Sequence, residues 1–548
     1  MVSSLPPSPV ESPSPSLWAN RFEATSRWAL FLCALTAPHS IAASQTSFVL
    51  AVLFWLAQCA TSRRWGLIPT PADWPLLLFF GFCLLSSAFS YEPRLSLRGM
   101  KSVALLGAIY LVSSRVQNLR WVVILALTLL LSCQVNTLFT LGQRAAGVGV
   151  RVTTLSKRSP LLRAGLQPGD VILKADGQSI RSLETLSQLA DAGLTDSFIK
   201  LHFRRGEQPL DTQIRRGAIT KTSEKKLAKL RIKEADAKRL PQGVERLGAE
   251  GSLARDFRAS GFYNHYATYA EVLQILASLG IGLWLSFWKR DQLQVAPTDL
   301  WLFKQLTPKQ LHLLISVAVL LTLGALFCTN TRASLASLGL SIGVMLIALW
   351  KTGKIQTRTG VALLGLALIV SCAGVALAYK QRSMALTDTS EGSLYWRLVV
   401  WQEGVHLVEQ HPFLGIGKDS DKVHGREWGL WGKGQLPPGH FHSSYLQIAV
   451  WWGLPALIAY GWMVWLFWLA LWKPVTEPLS INHNSLEQVC SYGVLLGVLG
   501  GLTGFAASSI VHFNLGDGEV TLILWFVLGL AVAAQRLFSP SIHIPTKV

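Results

Sequence analysis

The chain has 548 residues, half of them hydrophobic and only 15% charged, with 21 Trp, which excludes an ordinary soluble enzyme and indicates a polytopic membrane protein. The net charge of +19 lies in loops, tails and one insertion rather than in a patch interleaved with aromatics, so no nucleic-acid partner is expected. Seven Cys without CxxC or paired spacing indicate neither a disulfide framework nor a zinc site, and neither a metal nor a cofactor is expected.

In chain order, residues 1–25 begin SSLPPSPVESPSPS, a composition that reads as a disordered cytoplasmic tail rather than a cleaved signal. Five apolar segments follow within 26–141, at 26–41, 44–61, 74–90, 98–114 and 120–141. Pro38 and His39 interrupt the first two, leaving one hairpin or one kinked helix. Four more lie within 263–379, at 263–288, 311–328, 333–350 and 359–379, and three within 443–536, at 443–472, 489–510 and 518–536. The total is about twelve. Lys and Arg in short loops, such as Arg63, Arg64, Lys351 and Lys354, place those loops inside, so both termini, including the tail 537–548, are expected in the cytoplasm. The long stretches 142–262 and 380–442 then face outside.

Between the fifth and sixth spans, 145–217 changes to short alternating runs (VRV, DVILKA, FIKLHF, DTQIR) separated by Pro-Gly-Asp, Asp-Gly and Arg-Gly-Glu turns, with a helical stretch at 182–192. Ala164-Gly165-Leu166, Gly169-Asp170-Val171-Ile172, Asp176-Gly177 and Arg205-Gly206 resemble a PDZ domain of the bacterial periplasmic-protease type. That resemblance implies an extended peptide ligand added to a sheet edge, its carboxylate held by a Gly-rich loop, here Gly147, Val148, Gly149 and Val150. A packing or spacing role is the alternative. The linker 218–262 contains KTSEKKLAKLRIKEADAKR at 221–239, a basic helix that either meets anionic head groups or is simply solvated.

Chemistry concentrates in three stretches expected on the outer side: RASGFYNHYATYAEVL from Arg258, CTNTRASLASLGLS around Arg332, and HFHSSYLQ from His440. Arg332 lies in a nearly loop-less turn between spans that hold no acid, so it either snorkels to the interface or meets an anion such as a ligand phosphate. His442 either anchors at the interface or acts as a base, since an imidazole of ordinary pKa about 6.5 is largely neutral at physiological pH. Leu394, Leu398, Trp401, Val405 and Val408 form one apolar stripe, predicting an interfacial helix that carries Arg397 and ends at His411-Pro412. Asp419 and Asp421 form a D-x-D that opposing Lys418 and Lys422 make a poor cation site.

The Thr-Arg-Ala step opening a span, the outer loop with an arginine-bearing helix and HPFLGIG, and His-Ser-Ser-Tyr-Leu-Gln entering a Gly-interrupted span together resemble the O-antigen ligase family and its relatives, the O-antigen polymerases and protein O-oligosaccharyltransferases. The resemblance implies a mainly α, GT-C-like membrane glycosyltransferase with a small β-rich PDZ-like insertion. It further implies a bacterial inner-membrane location with the active site facing the periplasm. The donor would be a glycan on undecaprenyl diphosphate, and the acceptor lipid A core, another glycan or a protein. By the same carry-over His442 is the catalytic histidine, Arg332, Arg258 and Arg397 bind the donor diphosphate, and His440 and Ser443 support them. Ser443 stands where the family usually has Asn. A polysaccharide transporter with a regulatory, peptide-binding PDZ domain is the rival from another class.

Overall fold

The computed structural model describes residues 17–206, 208–219, 247–255, 257–287, 306–363, 394–434, 436, 439–477 and 485–538, with isolated positions between 365 and 376. Two compact units emerge: 1–138 with 260–548, and 139–259.

The first unit is helical. Helices α1 (Leu17–Thr36) and α2 (Ile41–Ser62) pack along each other. The Pro38-His39 interruption is a hairpin turn, closed by the amides of His39 and Ser40 on the Thr36 carbonyl and by the Ser40 side chain capping α2. There follow α3 (Asp73–Ala88), α4 (Pro93–Ala104), α5 (Gly107–Arg115) and α6 (Leu119–Ala146). After the second unit come α9 (Tyr266–Ser286), α10 (Pro308–Cys328), α11 (Arg332–Lys351), α12 (Leu394–Gln410), α13 (Ser420–His424), α14 (Ser444–Thr476), α15 (Leu486–Ser508) and α16 (Gly518–Phe538); α7 and α8 belong to the second unit. Among the described residues nine helices are long and apolar enough to cross a membrane, counting α4 and α5 as one. Of the remaining expected spans, 26–41 falls on α1, which starts nine residues earlier and carries Arg21, Glu23 and Arg27; 74–90 is the 16-residue α3; and most of 359–379 lies outside the described residues.

Helix α9 is the hub, with 18 of its 21 residues buried. It meets α15 almost backbone to backbone: a Cβ on Gly282 would stand 2.2 Å from the Gly497 nitrogen. Glycines let two apolar helices approach closely where no hydrophobic drive separates lipid from protein.

The second unit is a six-stranded antiparallel sheet ordered β5-β4-β2-β1-β6, with β3 on β2. Its strands are β1 (Val150–Leu155), β2 (Val171–Ala175), β3 (Gln178–Ser179), β4 (Phe198–Arg205), β5 (Gln208–Arg215) and β6 (Ala249–Leu253), with helices α7 (Pro160–Arg163) and α8 (Leu183–Asp191). All four alternating runs are strands. Alternation appears directly in β4, where Ile199, Leu201 and Phe203 face the core. The motif residues are structural: Arg205 donates bidentately to the buried Asp170 at 3.0 and 2.8 Å, and Asp176-Gly177 turns β2 into β3 with both residues at positive φ.

Candidate functional site

At one end of the helical unit the HFHSS turn is pinned on both sides of His442. The Phe441 amide donates to Gln447 Oε1 at 2.9 Å and its carbonyl accepts the Trp401 indole at 2.8 Å, while the Ser443 hydroxyl caps α14. His442 itself holds φ of 47°, a left-handed conformation that costs a non-glycine residue about 1–3 kcal/mol and clusters at functional sites. Its ring packs edge-on to Trp396 at 4.5 Å and against His440 at 4.1 Å, and His440 in turn contacts Phe513 at 5.4 Å.

Protonation follows from these contacts. The His442 amide donates to His440 Nδ1 at 3.1 Å, so that nitrogen keeps its lone pair and His440 is the neutral Nε2–H tautomer. Burial lowers His440 to about 4 and His442 to about 2, with neighbouring positive charge from Arg397, His265 and His512 adding to both. His442 Nε2 is buried and has no hydrogen-bond partner among the described residues. An orphaned buried nitrogen on a strained residue is the arrangement of a group awaiting a ligand.

The sign of the pH dependence is fixed by this direction. A base must be unprotonated, and a lowered pKa keeps His442 unprotonated well below 6.5, so kcat/KM, which reports the free enzyme, should stay level through pH 6.5 and fall only in more acid solution. A bound anion beside Arg397 offsets the positive field, so the acid limb of kcat should lie at higher pH than that of kcat/KM. Coincident limbs, or a kcat/KM inflexion at 6.5, would contradict a buried neutral His442.

A buried acid lies beneath this turn. Glu271, on the second turn of α9 and 1% exposed, accepts from Ser334 of α11 at 3.0 Å, Ser508 of α15 at 2.7 Å, His512 Nδ1 at 2.8 Å and Asn514 Nδ2 at 3.4 Å. Ser444 closes the circuit, its amide and hydroxyl donating to the His512 carbonyl at 2.9 and 3.1 Å and its hydroxyl to Asn514 Oδ1 at 2.7 Å.

Of the expected site residues, His442, His440, Ser443 and Arg397 converge: Arg397 follows the Trp396 that packs on His442, and its charge acts on both histidines. Arg332 opens α11 two residues before Ser334, so Glu271 brings a carboxylate to that helix start. The premise that no acid is near Arg332 applies to its flanking spans and not to α9. Arg258 belongs to the second unit, after β6. Sequence reading missed Glu271, His512, Asn514 and His265; His265 caps α9 by accepting from the Ala267 amide at 3.2 Å. A glutamate five residues into an otherwise apolar span was the one legible signal among them.

The D-x-D carboxylates do not cooperate. Asp419 pairs with Lys422 at 2.7 Å, whereas Asp421 is buried, accepts the Trp451 indole at 2.9 Å and is raised to about 6 by that burial. The basic run 221–239 lies outside the described residues.

The Gly147–Val150 loop requires correction. The amides of Gly147 and Val148 are already bonded to the carbonyls of Gln143 and Ala254, and Val150 sits inside the sheet, paired with both Ile172 and Leu253. Occupied amides cannot hold a carboxylate. Two sheet edges have no further paired strand among the described residues, the outer sides of β5 and β6; only β6 is shown with a helix residue beside it, Leu183 of α8 next to Gly251, and the turn leading into it is Leu247-Gly248-Ala249, with Gly248 at φ of 56°. Since the Ser156 amide bonds the Gly248 carbonyl, Ala249 and Leu155 form a non-hydrogen-bonded pair, and the Ala249 N–H points off that edge.

Beside Ser443 an open apolar cleft of about 570 Å³ runs between α12 and α14, lined by Trp401, Val405, Val408, Leu446, Leu454 and Leu457 among others.

Fold and site thus define a multi-pass membrane protein with a buried imidazole–arginine cluster at one end of its helices and a small β-rich unit inserted in the chain. Residues 317–461 match the family model described as O-antigen ligase, and 151–205 match that of a PDZ domain. The first match runs from α10 into α14 and contains Arg332, Arg397, His440 and His442, which supports a function of the O-antigen ligase or polymerase type. A probable CtpA-like serine protease of Staphylococcus haemolyticus (strain JCSC1435) is 36% identical over 72 residues, 13% of this chain and 14% of that protein. The chain thus spans about a seventh of that relative's length, and the overlap carries no activity across.

Proposed function

We propose that this protein is an inner-membrane glycosyltransferase that moves a glycan from undecaprenyl diphosphate to an acceptor on the periplasmic side. The observation that carries the reading is His442 Nε2, buried and unbonded among the described residues and within the field of Arg397, on a turn whose next residue, Ser443, lines an apolar cleft of about 570 Å³ that could take part of a polyprenyl chain. His442 takes the proton of the acceptor hydroxyl. The acceptor oxygen then bonds to the sugar C1 while the C1–oxygen bond to the diphosphate breaks, and undecaprenyl diphosphate leaves with the electron pair. A single displacement of this kind inverts the anomeric centre. The departing charge is met by Arg397 and Arg332, with Arg258 assigned to the same task by the family resemblance; guanidinium forks match phosphate oxygens.

A peptide ligand of the PDZ unit would add along β6 beside α8 rather than at Gly147–Val150, which leaves a protein acceptor or partner subunit as one of three outcomes. The deciding experiment supplies the purified protein with undecaprenyl-diphosphate-linked oligosaccharide extracted from host membranes and offers lipid A core, a soluble glycan and a peptide in parallel. Transfer to one of them assigns the acceptor. Consumption of donor with none of them would favour the polymerase, with one donor glycan serving as acceptor for another, whereas movement of the intact lipid across vesicles without transfer would favour the transporter.

In the same assay Arg332→Lys keeps the charge and loses the planar fork, so the donor KM should rise, and more so in Arg332→Ala, about 10-fold or above for a lost charge-assisted bond. An unaltered donor titration in both variants would assign Arg332 to the interface alone.

A further inference from the structure

Glu271 is a buried acid at the reacting end of the bundle for which the transfer chemistry has no task, and a carboxylate inside a membrane helix is costly to keep there without one. Its four partners come from three directions in the fold: α11 through Ser334, α15 through Ser508, and the loop between α15 and α16 through His512 and Asn514. That loop is where the histidine turn is fastened. Ser444, two residues after His442, gives its amide to both the Ser509 and His512 carbonyls at 2.9 Å, and the Ser443 hydroxyl reaches the Ser509 carbonyl at 3.4 Å. Phe513, in the middle of the loop, backs His440.

We propose that Glu271 is the positioning residue of the catalytic histidine: it fixes the 508–514 loop, and through Ser444 that loop fixes the left-handed backbone of His442. The inference rests on the reading of His442 as the base. The chemistry requires a carboxylate and not merely a polar group. His512 Nδ1–H, Asn514 Nδ2–H and two serine hydroxyls are all aimed at it, and only an ionised carboxyl offers acceptor sites to all four. An amide in its place turns its N–H₂ group toward either the His512 or the Asn514 N–H, a donor facing a donor, while the serine hydroxyls can rotate to accept, and the loop is pushed away from that side. Acting at a distance through the loop, Glu271 should govern how well the base is aimed more than how tightly the donor is held, because Arg397 lies outside its hydrogen-bond circuit.

The test is Glu271→Gln, compared with Glu271→Asp and Ser444→Ala in detergent-solubilised full-length protein. Glu271→Gln should lower kcat about 100-fold, the size of effect that a displacement of about 1 Å produces, with a much smaller change in the donor KM. Glu271→Asp, which keeps the charge, should recover part of the loss. Combining Glu271→Gln with Ser444→Ala should be no slower than Glu271→Gln alone, since both break one chain of contacts. A wild-type kcat in Glu271→Gln, a loss confined to KM, or full additivity with Ser444→Ala would each overturn the inference. Should Glu271→Gln fail to insert, Asn514→Ala combined with Ser444→Ala decides, since together they remove the loop's asparagine bond to Glu271 and its side-chain bonds to the turn: kcat must fall with KM little changed, and a wild-type kcat sinks the idea. If His442→Ala itself transfers normally, the underlying reading fails instead, which these variants leave distinguishable.

Discussion

His442→Ala should leave the protein inserted and able to bind donor while transfer falls about 10²- to 10⁴-fold, the usual loss for a general base. The neighbours explain why the two effects separate. Phe441 and Ser443 keep their own bonds to Gln447, Trp401 and α14, so the turn retains its path without the imidazole. Arg397 stays beside the vacated space, so donor binding persists. Initial rates with lipid-diphosphate-linked oligosaccharide, normalised to monodisperse protein, measure this. Transfer at the wild-type rate would remove His442 from the chemistry and turn attention to His512, whose Nδ1 faces Glu271.

The same residues show how far a sequence alone carries such a site. The HFHSS turn was legible because polar residues at the brink of a long apolar run need a reason to be there, and its ring contact with Trp396 and the charge of Arg397 tie it to a helix some forty residues earlier. Glu271 was not legible in its role. Its partners stand 63, 237, 241 and 243 residues away, and no local periodicity signals that four helix ends meet. Each of those residues, read singly, is an ordinary serine, histidine or asparagine at a helix end.

The β-rich unit divides in the same way. Period-two alternation and Asp-Gly turns exposed the strands, because side-chain direction along a strand is a local property. Which edge stays open is not local. Val150 looked free as the start of the first strand, yet β6, almost a hundred residues later, pairs on one side of it and β2 on the other. The short AEGSL strand carries little β propensity and follows a long basic linker, so nothing around it advertised that it would form the edge. Helix α1 is a related case: it begins at Leu17, ahead of the apolar stretch, and runs through Arg21, Glu23 and Arg27, since charged residues end an apolar segment without ending a helix.

Gly282→Leu should produce the largest loss of stability of any single change in the α9–α15 contact. A Cβ there would lie 2.2 Å from the Gly497 nitrogen, 2.3 Å from its Cα and 2.5 Å from the Gly493 carbonyl oxygen, all backbone atoms with no flexible end to swing aside. The reciprocal positions are as tight: a Cβ on Gly497 would stand 2.7 Å from the Leu279 Cα, and one on Gly493 2.7 Å from the Leu283 Cα. Overpacking where side chains can repack costs about 1–3 kcal/mol, and here the two helices must separate instead, so the loss should exceed about 3 kcal/mol. Separation also acts on function, because α9 carries Glu271 and α15 carries the Ser508 that bonds it. Transfer should therefore be lost even in whatever fraction of the variant remains inserted. Gly461→Ala in α14 is the control: nothing lies within 4 Å of its added Cβ, and alanine favours a helix by about 0.5–1 kcal/mol, so its thermal midpoint should hold or rise. Thermal unfolding in detergent compares the two, and a Gly282→Leu midpoint equal to wild type would mean that α9 and α15 do not meet through these glycines.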